Sequence, residues 1–89
     1  MRYTNTEKIC LTLLLAKRSL TVKEINGVAR EYGITLKLSA IKNVVYSDKM
    51  NFYSTFVNTN SREIVGYGLT KKGFLIADNV YSDLKQRRK

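Results

Sequence analysis

The sequence predicts a small α+β domain, mostly helical, in which three helices precede a two-stranded hairpin and one helix follows it. Three observations carry this. Thr-x-x-Glu occurs at Thr4–Glu7 and again at Thr21–Glu24, each time ahead of apolar residues at helical intervals. After Asn51 the pattern turns aromatic and β-branched, broken by Asn58-Thr59-Asn60-Ser61. Thr70 then stands before a last helical pattern through Phe74, Ala77, Tyr81 and Leu84.

Each element can be justified in turn. The Thr4 hydroxyl can accept from the Glu7 amide while the Glu7 carboxylate reaches back, so a helix is expected from there to about Arg18. Its stripe of Ile9, Leu13 and Ala16 is widened by Cys10, Leu11, Leu14 and Leu15 nearly around the circumference. A helix apolar on so many sides is buried on more than one, and a second chain is the expected cover for the extra face. The second helix turns Val22, Ile25, Val28, Ala29 and Tyr32 inward and stops at Gly33, which can take a left-handed conformation. A third, spanning about Leu38 to Ser47, turns Leu38, Ile41, Val44 and Val45 inward. Helix, glycine-bearing turn and helix form the helix-turn-helix pattern. The segments Phe52 to Val57 and Glu63 to Tyr67 pair as a hairpin with a polar tip, and Thr70 caps the closing helix, with Ile76 and Val80 flanking its seam. Residues Lys85 to Lys89 form a basic tail, expected to fray.

Composition narrows the function. Eighty-nine residues make one domain. An apolar share of 44% and a charged share of 26% describe a folded chain rather than a disordered one. With no histidine and one cysteine, the chain cannot build a Cys/His zinc site, a Ser-His-Asp triad or an intrachain disulfide. No carboxylate pair or nucleophile-base constellation emerges, so an enzyme is not expected, and neither is a cofactor. The longest apolar stretch, Ile9 to Ala16, is far short of the roughly 20 residues that span a bilayer. Charged flanks at Glu7, Lys8, Lys17 and Arg18 argue against a signal sequence, and a cytoplasmic setting is expected. Sixteen Lys and Arg against seven Asp and Glu leave a formal charge of +9, which favours a polyanionic partner.

The element order, together with Tyr67-Gly68-Leu69-Thr70-Lys71-Lys72-Gly73-Phe74, resembles the winged helix-turn-helix domain of MarR- and PadR-like transcriptional regulators, whose wing closes in a Y-x-L-T-x-x-G segment. The resemblance implies that Leu69 plugs the core, Thr70 caps the last helix and Gly73 lets that helix lie close to the body. It implies a regulator that binds double-stranded DNA. The minimal size is similar to small regulators of archaeal viruses and plasmids, and without room for extra helices no small-molecule effector is expected.

On the third helix Ser39, Lys42, Asn43 and Tyr46 share one arc opposite the apolar residues. These types suit groove reading: Lys42 donates to guanine or phosphate, Asn43 pairs with adenine, and Ser39 or Tyr46 binds phosphate. Lys37 and Lys49 flank the helix as anchors. At the wing tip, Arg62 with Asn60 and Ser61 is the candidate for the minor groove or its backbone. Arg18, Thr21 and Lys23 surround the start of the second helix, and Lys71 and Lys72 follow the wing, all expected at phosphates.

A two-fold homodimer through the first and last helices is expected, its interface drawn from Ile9, Cys10, Leu14, Phe74, Ala77, Tyr81 and Leu84. Two recognition helices would then lie roughly 34 Å apart. Cys10 near the axis would allow an intersubunit disulfide, although a small buried hydrophobe is the more ordinary role for it. The alternative function is a winged-helix module for protein interaction or RNA binding, without sequence-specific DNA recognition.

Overall fold

The structure, a computed structural model, describes residues 3–57 and 64–87. Its elements run α1 (Asn5–Ala16), α2 (Val22–Glu31), α3 (Leu38–Tyr46), β1 (Tyr53–Val57), β2 (Ile64–Leu69) and α4 (Lys71–Arg87). Both expected capping boxes form, with Thr4 accepting from the Glu7 amide at 3.1 Å and Thr21 from that of Glu24 at 3.2 Å. These hydroxyls satisfy helix-terminal donors that would otherwise lack partners.

α1 stops before the expected Arg18, because Lys17 turns left-handed at φ 58° while its amide returns to the Leu13 carbonyl. Gly33 ends α2 as expected, at φ 72°, and the amide of the next residue, Ile34, donates to Ala29 at 2.8 Å. In the hairpin Tyr53 faces Leu69 and Thr55 faces Tyr67, with an irregularity between Phe56 and Val57. Leu20 and Tyr67 exchange backbone hydrogen bonds of 3.0 and 2.7 Å. The link between α1 and α2 thereby pairs with the hairpin stem, an addition the sequence pattern did not show. Thr70 caps α4 through the Gly73 amide, and its hydroxyl donates to the Asn51 carbonyl. The helix continues through Arg87, so Lys85 and Gln86, expected in a frayed tail, are helical.

The core gathers around α1. Ile9, Cys10, Leu11, Leu13, Leu20, Ile25, Ala29, Ile41, Ala77 and Val80 are all buried. Thr12 is buried among them, its hydroxyl donating to the Lys8 carbonyl one turn back. This corrects the reading of α1 as a helix half covered by a second chain: α2, α3, β2 and α4 of the same chain pack around it. Two residues expected inward are displaced outward: Tyr32, in the C-cap position of α2, and Leu38, in the first turn of α3, lie at helix ends beyond the reach of the core and are exposed.

Candidate nucleic-acid interface

α3 is held from both neighbouring helices before it begins. The Lys8 ammonium of α1 donates to the Thr35 carbonyl at 3.1 Å, and the Asn26 amide of α2 donates to the Leu36 carbonyl at 2.8 Å. Leu36 itself is buried. The connector therefore has fixed ends, and α3 starts from Lys37 in extended conformation with no side chain capping it. After the helix, Asp48 accepts from the amides of Phe52 and Tyr53 at 3.0 and 2.9 Å, fastening the exit of α3 to the first strand. A carboxylate that receives two backbone donors is a strong local brace.

So anchored, α3 buries Ile41 and Val45, half-buries Val44, and leaves Ser39, Lys42, Asn43 and Tyr46 exposed. Lys37 and Lys49 are exposed at its two ends. All six lie on the helix or within a few residues of it and are open to solvent, a cationic and hydrogen-bonding ridge with an apolar underside. Burial first, and then the charge of Tyr46, push the Tyr67 phenol of the hairpin stem above its usual range. Asn60, Ser61 and Arg62 lie outside the described residues.

At the start of α2 the expected phosphate ligands are already engaged with one another. Glu24 receives the Thr21 amide at 3.0 Å on one carboxylate oxygen and the Arg18 guanidinium at 3.1 Å on the other. The Thr21 hydroxyl is occupied in capping. Arg18 retains further donors on a half-exposed side chain, while Lys23 is exposed. Lys71 and Lys72 are both exposed on the first turn of α4. Successive helical residues point about 100° apart, so the two address different directions.

The expected dimer residues divide sharply. Ile9, Cys10 and Ala77 are each 0% exposed and enclosed by their own chain, so they offer no surface to a partner. An a/d seam on α4 put Ala77 together with Phe74 and Tyr81, whereas the helix turns Ala77 and Val80 inward and leaves Phe74 and Tyr81 exposed. Leu14 and Leu84 are half-buried against the core. A disulfide at Cys10 is likewise incompatible with this burial. Its thiol donates to the Tyr53 hydroxyl at 3.7 Å, which donates in turn to the Thr6 carbonyl at 3.1 Å. Burial pushes the Cys10 thiol up to about 11 and raises the Tyr53 phenol as well.

Sequence reasoning missed Asn26 and Asp48, whose partners lie on connectors, and the pairing of Glu24 with Arg18. It also missed Leu75, which is 62% exposed beside Phe74 on α4. No helix among the described residues is long and apolar enough to cross a membrane. Nor do three His, Cys, Asp or Glu side chains converge there as a metal-binding group.

A helix-turn-helix whose second helix turns a polar ridge outward, followed by a hairpin and a closing helix, is the winged helix-turn-helix fold. Solved structures with this arrangement superpose on nearly the whole chain. A ZitR variant from Lactococcus lactis matches with a TM-score of 0.64 at 20% identity, over 97% of this chain and 56% of its own. SSV1 F-93 matches with a TM-score of 0.56 at 18% identity, over 99% and 94%. The adhesin competence repressor AdcR of Streptococcus pyogenes gives 0.56 at 24% identity, over 97% and 68%. The chain therefore spans about half the length of the ZitR structure and nearly all of F-93. No protein-family model matches the chain, and no curated protein does.

Proposed function

We propose that the chain is a sequence-specific double-stranded DNA-binding protein that regulates transcription as a homodimer and is not an enzyme. The observation that carries this is the outward face of α3, where Ser39, Lys42, Asn43 and Tyr46 are exposed while Ile41 and Val45 anchor the helix beneath them. Lys42 and Asn43 read base edges in the major groove. Ser39, Tyr46, Lys37 and Lys49 hold the flanking backbone. Arg18, Lys23, Lys72 and the helix start at Thr21 bind phosphates, and the wing residues Asn60, Ser61 and Arg62 serve the minor groove or its backbone. One of the matched folds, AdcR, carries the word repressor in its name, which supports regulation as the role of such a module.

Selection of bound duplexes from a random pool tests this reading. A recovered consensus, with affinity falling steeply as salt rises because several phosphates are neutralised, is the expected result. Recovery of no consensus, with binding insensitive to salt, would overturn it.

A further inference from the structure

The first two turns of α4 carry a pattern complementary to itself. Lys71, Phe74, Leu75 and Asp78 are all exposed, and at 100° per residue they fall within an arc of about 100°, turned away from Ala77 and Val80. The order along the helix is cation, two apolar side chains, anion, with equal spacing on either side of the apolar pair. Rotating a copy by two-fold symmetry about a point between Phe74 and Leu75 sets the copies of α4 antiparallel. Each Lys71 then lies level with the partner subunit's Asp78, and Phe74 with the partner subunit's Leu75.

Within one helix Lys71 and Asp78 are separated by about 10.5 Å of rise, too far to pair with each other. Among the described residues neither makes an ion pair inside the chain. The apolar surface also extends beyond α4: Leu69 lines a groove with Phe74 and Leu75 on one side and a second with Leu14 on the other. Exposed apolar side chains set side by side, as Phe74 and Leu75 are, mark a contact site on a small chain. Self-complementarity is what an isologous interface requires.

We infer that the first two turns of α4 are the homodimer contact, packing antiparallel on the same turns of a second copy, with Phe74 and Leu75 at the axis and reciprocal Lys71–Asp78 pairs at its edges. This rests on the dimeric reading above, and it assigns Lys71 to the interface and leaves the phosphate role to Lys72. The two charge pairs act mainly as register and orientation devices, since partly solvated pairs contribute little net affinity whereas like charges brought face to face are strongly unfavourable.

Charge reversal tests the arrangement without disturbing the core, because both side chains are exposed. Lys71→Glu and Asp78→Lys each place like charges at two symmetric positions. Each should weaken self-association, measured by sedimentation equilibrium in the absence of DNA, roughly tenfold or more. The double variant restores opposite charges in reversed order and should recover the wild-type dimer. Circular dichroism should be unchanged in all three. Dimerisation unaffected by the single reversals, or lost in them and not recovered in the double variant, would overturn this interface while leaving the dimer standing. A wild-type chain monomeric at high micromolar concentration would overturn the dimeric reading itself, and duplex binding by that monomer would show that DNA recognition does not depend on it.

Discussion

Gly73 of α4 lies so close to the carbonyl of Phe52 that a Cβ placed on it would stand 2.0 Å from the oxygen and 3.0 Å from the carbonyl carbon. That oxygen is not free to retreat. It accepts the Thr70 amide at 3.2 Å, and the amide of Phe52 is itself held by Asp48 at 3.0 Å. The closing helix therefore meets the entry to the hairpin backbone against backbone.

Gly73→Ala should consequently destabilise the fold. Alanine gains about 1 kcal/mol over glycine by helix propensity. Overpacking against a pinned carbonyl costs about 3 kcal/mol, at the upper end of the usual range, leaving a net loss of about 2 kcal/mol. The control is Gly27→Ala in α2, where a Cβ meets nothing within 4 Å and the propensity gain should stand alone. Urea unfolding of the two variants checks both signs. A Gly73→Ala midpoint equal to wild type would show that α4 lifts off Phe52 at little cost.

The role of Gly73 was legible because the segment from Tyr67 to Phe74 has a recognisable form, and the helices were legible because their caps and periods are local. Which apolar face meets which neighbour was not. α1 looks the same in sequence whether a second chain or its own α4 covers it, and the pairing of α1 with α4 joins residues too far apart for any period to record. The polar face of α3 followed from its period. The bonds from Lys8, Asn26 and Asp48 that aim it did not, since a side chain bonded to a distant carbonyl or amide leaves no repeat. On α4 the a/d reading placed Phe74 and Ala77 in one seam, yet the helix sends them to different surroundings. Leu75, outside that pattern, joins Phe74 at the surface.

Glu24 makes stability depend on pH in one direction. The Thr21 amide, and then the Arg18 guanidinium, hold its carboxyl below the usual carboxylate range. A carboxyl depressed on folding contributes stability that is present above its unfolded value and lost as pH falls through the folded one. Its contribution should be intact at neutral pH and begin to fade only as pH drops below the ordinary value of 4.5. Glu24→Gln keeps an acceptor for the Thr21 amide but removes the charge. The stability difference between wild type and this variant should be constant from about pH 8 to 6 and close in acid, when measured by urea unfolding at each pH. The difference should be small, because the Arg18–Glu24 pair is half exposed. A difference that grew on acidification would contradict the depressed carboxyl.

Lys42 and Asn43 are neighbours on the exposed side of α3, yet they should fail in different ways when removed. An asparagine amide that pairs with an adenine edge carries information about one base pair, so Asn43→Ala should reduce discrimination at that position while retaining binding to unrelated duplexes. A lysine at guanine does the same and also neutralises charge. Lys42→Ala should weaken binding to the selected site by about 1 to 3 kcal/mol, and should lower the salt slope by about one only if the ammonium rests on a phosphate. Titrating both variants against the selected duplex and a scrambled one, at two salt concentrations, separates base reading from backbone contact. Both alanine variants are expected to unfold at the wild-type midpoint, because neither side chain enters the core. If both also retain wild-type affinity and discrimination, α3 is not the reading helix, whatever its exposed face.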